Sequence, residues 1–80
     1  MQTIDLDGRS GNTMSLISIG ESAKRQMCES RQEQRAFRDK MLKLDTYKAV
    51  VKAFVVEFRF LYELTKDGET VTEDNIDELF

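Results

Sequence analysis

The residues Ile4-Asp5-Leu6-Asp7-Gly8-Arg9-Ser10-Gly11-Asn12 constrain this chain more than any other stretch. From Gln2 to Asp7 the sequence alternates. Ile4 and Leu6 fall on one face and Thr3, Asp5 and Asp7 on the other, the pattern of a half-buried strand. Gly8 and Gly11 then frame a tight loop, where glycine takes positive φ without steric cost. Asn12 or Thr13 offers a side-chain oxygen to the first free amides of a helix. A lone strand leaves its backbone groups unpaired, so a partner strand has to lie further along.

The next three segments carry helical spacing. Leu16, Ile19, Ala23 and Met27 form one stripe over about residues 13–27. Gly20 sits beside this stripe and implies that another element approaches closely there, since glycine inside a helix costs about 1 kcal/mol against alanine. A break follows near Glu29-Ser30, with Ser30 as a cap, and a charged helix over 31–44 turns Phe37, Met41 and Leu44 inward. Asp45 or Thr46 caps a third helix on which Tyr47, Val50, Val51, Phe54 and Phe58 share a face. The signals conflict from Val56 to Tyr62, where the chain also alternates. The unpaired first strand favours a strand over 58–64, and one long helix over 46–66 is the alternative. Lys66-Asp67-Gly68 reads as a turn, Asp-Gly being a common hairpin signal, with a short third strand after it. Thr70 with Glu73 and Thr72 with Asn75 suggest a capped final turn, while a loosely packed tail over 69–80 is the other option. The expected fold is α+β, a small antiparallel sheet packed on two or three helices in a single domain, 1–80.

Eighty residues support only a small core. Cys28 is the only cysteine, which excludes an intrachain disulfide and fits a reducing compartment; it is expected to be a half-buried packing residue. The N-terminus lacks the basic start and apolar run of a signal peptide, and no apolar run approaches the roughly 18 residues a membrane span needs. Net charge is −3, with 12 Lys/Arg against 15 Asp/Glu. Its distribution is uneven: residues 20–52 hold nine basic and five acidic side chains, and residues 53–80 hold two and eight. The chain is basic in its middle and acidic at its end. The apolar load of residues 47–64 is more than one small domain hides easily, which predicts self-association, most simply a dimer.

Little of the sequence carries chemistry. The absence of histidine removes the commonest general base, the commonest metal ligand and every Ser-His or Cys-His pair. Gly8 to Asn12 misses the spacing of a nucleophile elbow by one position and lacks the Gly-Lys-Ser/Thr ending of a P-loop. Asp5 and Asp7 could hold Mg²⁺ or Ca²⁺ from one strand face, but the glutamate that closes a calcium loop would fall at Met14, so no metal site, catalytic residue or cofactor is expected. Two surfaces remain as candidates. Gly8, Arg9, Ser10, Gly11 and Asn12 deliver a helix N-terminus suited to an anion. Arg31, Arg35 and Arg38 share the outer face of the second helix and suit an acidic protein surface. Nucleic acid is disfavoured, because the domain is acidic and Glu29, Glu33 and Asp39 interrupt the row.

The opening Ile4-Asp5-Leu6-Asp7-Gly8-Arg9-Ser10-Gly11-Asn12-Thr13-Met14-Ser15-Leu16-Ile17 resembles a group of small uncharacterised proteins of tailed bacteriophages and prophages. These begin Ile-Asp-Leu-x-Gly-x-x-Gly-Asn-x-Phe-x-Leu-Met-Gly and carry a later Asp-Tyr-x-x-Leu-Leu-x-x-Phe segment, which Tyr47, Val50, Val51 and Phe54 resemble. Met14 stands where the group has an aromatic, and the helix glycine comes late, at Gly20. The likeness covers about the first 60 residues and leaves Glu69–Phe80 outside. It implies a phage or prophage origin and transfers no functional residues. The resulting expectation is a non-enzymatic accessory protein in the host cytoplasm. It would act by binding a host protein or itself and interfere with a host process or defence system. The alternative is a nucleotide or cyclic-nucleotide sponge built on Gly8–Asn12.

Overall fold

The computed structural model describes residues 2–80, and of Ser10 the backbone alone. Strand β1 (Gln2–Asp5) leads through a 3₁₀ turn (Arg9–Gly11) into helix α1 (Thr13–Gln26). Helices α2 (Arg31–Leu42) and α3 (Tyr47–Glu57), strands β2 (Tyr62–Lys66) and β3 (Glu69–Thr70) and a last helical turn α4 (Ile76–Leu79) follow. The fold is α+β, as expected, with a small mixed sheet in the order β1-β2-β3.

The sheet corrects one part of the sequence reading. β1 pairs with β2 in parallel, Gln2 beside Tyr62 and Ile4 beside Leu64, where an antiparallel pair was expected. Three helices separate these strands, and a long crossover is the connection that parallel neighbours require. The partner strand also begins later than the expected 58–64. Phe58 ends α3, its N–H bonding Phe54 C=O at 2.9 Å, and its ring is buried edge-on against Phe37 at 5.5 Å. Residues 58–61 therefore form a turn that closes the helix, with Leu61 and Tyr62 N–H both reaching Phe58 C=O at 3.0 Å. This turn also excludes one long helix over 46–66.

Local capping chemistry sets the helix starts. Asn12, Ser30 and Thr46 each accept a backbone N–H from three residues ahead, at Ser15, Glu33 and Ala49. Glu33 returns the bond to Ser30, completing a capping box. α1 and α2 run back along each other. A Cβ on Gly20 would lie 2.5 and 2.6 Å from ring atoms of Phe37 and 3.0 Å from Phe58, so the glycine is there to let two aromatic rings in. One core gathers Ile4, Leu16, Ile17, Phe37, Val50, Val51, Phe54, Phe58 and Leu64. β3 pairs antiparallel with β2 across a turn in which Asp67 and Gly68 both take positive φ, 53° and 81°. Residues 69–80 are packed rather than loose: Val71 and Ile76 are buried in the same core. Thr72 and Asn75 also cap each other, Thr72 N–H to Asn75 Oδ1 at 2.7 Å and Asn75 N–H to Thr72 Oγ1 at 3.3 Å.

Cys28 is exposed, which corrects the expected half-buried packing role. It stands just past the end of α1 with φ 62°. Its N–H bonds Arg25 C=O at 3.0 Å, and Glu29 N–H bonds Lys24 C=O at 3.1 Å. This bonding pattern ends many helices and favours glycine at the left-handed position. Cys28→Gly is therefore expected to stabilise the domain by about 1 kcal/mol. Urea titration measures it, and an unmoved midpoint would mean that the backbone stores no strain there.

Candidate functional site

The Gly8–Asn12 loop uses most of its polar groups on itself. Gly8 N–H reaches Asp5 C=O at 3.0 Å and Gly11 N–H reaches Gly8 C=O at 3.2 Å. Asn12 accepts Ser15 N–H at 2.8 Å and donates its amide to Arg9 C=O at 3.1 Å. Neither Gly8, at φ −94°, nor Gly11 takes the positive φ expected of the loop; Gly11 is instead buried against the Leu6 backbone, and its carbonyl accepts the Tyr47 hydroxyl. Burial, and then the negative charge of Asp7, push the Tyr47 phenol above its ordinary range, which keeps it a donor. Arg9 is exposed and has no ion pair among the described residues. The Ser10 side chain lies outside what the structure describes. The helix start that could face an anion is thus closed at its third amide by its own cap, and the loop works as a joint between β1, α1 and α3.

The other titratable clusters are equally occupied. Asp5 Oδ1 accepts Asp7 N–H at 2.9 Å, and Asp7 Oδ2 accepts Asp67 N–H at 2.7 Å, tying the first loop to the β2–β3 turn. Among the described residues no three His, Cys, Asp or Glu side chains converge as a metal site would require. Lys24 is buried, and the sequence reading missed it. Its Nζ bonds Glu57 at 2.6 Å and Glu29 at 3.3 Å, and lies 5.4 and 5.8 Å from the ring centres of Phe37 and Phe58. Burial works to lower its pKa, but the bonds to Glu57 and Glu29 outweigh that and hold the ammonium above the usual lysine range. Lys24 in turn holds the Glu57 carboxyl below its usual range. Paired with Glu57 on one side and Glu29 on the other, Lys24 clamps α1 to the end of α3.

The arginine row is only partly as expected. Arg38 turns inward to pair with Glu21, because the two helices place Glu21 across from it. Arg31 and Arg35 instead line an open groove with Arg25 from α1, beside Gln34 and Glu21. Neither Arg25, Arg31 nor Arg35 has a carboxylate partner among the described residues. Arg25 was missed, although it and Arg31 stand about equally far from the Met27–Ser30 link and a helical hairpin brings such positions together. No family model, curated protein or solved structure matches this chain.

The largest anomaly of the surface is Phe60. In a strand over 58–64 it would share the apolar face with Phe58; the turn at 58–61 expels it instead, leaving it 84% exposed. Met27 at 46% and Leu61 at 42% exposure line the same groove, floored by Ala23 and Tyr62. Three large apolar side chains thus come together at the joined ends of α1 and α3. Scattered exposed apolar residues are ordinary, whereas here three of them, from the end of α1 and the turn after α3, line one groove.

Proposed function

We propose that this chain is a bacteriophage accessory protein that acts in the host cytoplasm by binding a protein through the Phe60–Met27–Leu61 tip, so interfering with a host process or defence system. The single observation that carries the binding reading is the exposure of Phe60. An aromatic ring held out on a short hydrogen-bonded turn is presented with little remaining backbone freedom, and aromatic anchors of this kind supply much of the energy of protein interfaces. The phage origin rests on the resemblance of residues 4–17. No helix among the described residues is long and apolar enough to cross a membrane.

The test compares wild type with Phe60→Ser in capture from a bacterial lysate. A side chain this exposed makes few contacts in its own fold, so stability should change by less than about 0.5 kcal/mol. Wild type is expected to retain a specific bacterial protein that the variant loses. If Phe60→Ser retains the same protein equally well, the tip is not the binding face.

A further inference from the structure

The arginine groove and the acidic C-terminal segment answer one another in charge. From residue 67 to residue 80 the chain carries six acids and no lysine or arginine. Asp67, Glu73 and Asp77 are engaged within the molecule by Lys66, Arg59 and Lys48. Glu69, Asp74 and Glu78 are exposed and without a cationic partner among the described residues. The three arginines of the groove are likewise exposed, and none has a carboxylate partner among the described residues. Val71 and Ile76 anchor the segment in the core away from α2's arginines, and within the molecule its acids pair with Lys66, Arg59 and Lys48 rather than with the groove. We propose that the groove formed by Arg25, Arg31 and Arg35 takes the acidic segment around Asp74 and Glu78 of a second copy of this chain.

The chemistry of the groove favours this occupant. Guanidinium groups present a planar fork that binds carboxylates two-handed, and they shed water more readily than ammonium groups. The groove is open and all three arginines are exposed, whereas small-ligand sites enclose most of their ligand. Glu21 on its wall and the net charge of −3 disfavour a nucleic-acid backbone. Single exposed ion pairs are weak and screened by salt, so the contact is of low affinity and most populated in concentrated, low-salt solution. It uses a different face from the Phe60 tip, and neither reading depends on the other.

Charge reversal tests it. The wild type is expected to sediment as more than a monomer at about 100 µM in low salt, and as a monomer once about 0.5 M salt shortens the screening length to a few ångströms. Arg31→Glu with Arg35→Glu should abolish association, and so should Asp74→Lys with Glu78→Lys, because each then opposes like charges. Mixed one to one, the two variants should associate again, since each groove now meets an oppositely charged segment. Thermal melts by circular dichroism show that both variants are folded before they are mixed. Phe60→Ser should associate as wild type does. A wild type that stays monomeric in low salt, a folded pair that fails to associate on mixing, or loss of association in Phe60→Ser would each overturn the proposal.

Discussion

Replacing Phe54 with alanine is expected to remove about 3–5 kcal/mol from the stability of the domain. Phe54 is fully buried where α3 meets the sheet. Its ring packs at a tilt against Phe58, with centroids 4.8 Å apart, and against Tyr62 at 5.7 Å, so one side chain joins the helix to the turn that follows and to β2. Its removal takes away the transfer energy of the ring and leaves a cavity in walls that cannot easily collapse. A domain of 80 residues has a total stability of about 4–12 kcal/mol at ordinary values per residue. The loss takes from about a quarter to all of that stability, so the variant should unfold at a much lower denaturant concentration than wild type. Denaturant titration decides the matter. A loss below about 1 kcal/mol would place Phe54 outside the core.

That Phe54 is core was legible in the sequence, since it follows Val50 and Val51 at helical spacing. So were the cap at Ser30, the caps at Asn12 and Thr46 to within one residue, the close approach at Gly20 and the Asp67-Gly68 turn. All of these are local: a side chain bonds its own backbone a few residues away, or a missing Cβ marks a point of contact. What escaped the sequence depends on residues far apart. The partner strand begins at Tyr62 because Phe58 is held by Phe37 from another helix, and alternation alone cannot say which of two apolar rings the core accepts. Strand polarity follows from how the three-helix crossover lies on the sheet, which no residue near β1 encodes. Lys24 reads as an ordinary helix lysine until Glu57, 33 residues later, is found beside it. The candidate surfaces show the same division. Arg31 and Arg35 were visible as a row on one helix, whereas Arg25 joins them only through helix pairing. Phe60 became a surface feature only once the turn at 58–61 was in place.

The opening loop supplies the second large effect. Gly11→Ala is expected to cost more than about 3 kcal/mol, beyond the ordinary penalty of overpacking. A Cβ at this position would overlap the Leu6 carbonyl oxygen and lie 2.5 Å from its carbon and 2.7 Å from Leu6 Cα. The obstacle is main chain, which cannot rotate aside as a side chain does. Relief would require moving either the 3₁₀ turn or the end of β1. The first displaces the carbonyl that accepts the Tyr47 hydroxyl; the second stretches the Leu6 N–H bond to Thr65 C=O, now 2.8 Å. Either way the substitution loosens the joint between the sheet and the first helix. Gly8→Ala is the control within the same loop. Its Cβ would lie 3.3 Å from Asp5 C=O, a misfit that a few tenths of an ångström absorbs, so it should cost less than about 1 kcal/mol. Titration of both variants measures the difference. A Gly11→Ala protein as stable as the Gly8→Ala one would show that this loop yields, and that its glycines serve something other than the close packing of Gly11 against Leu6.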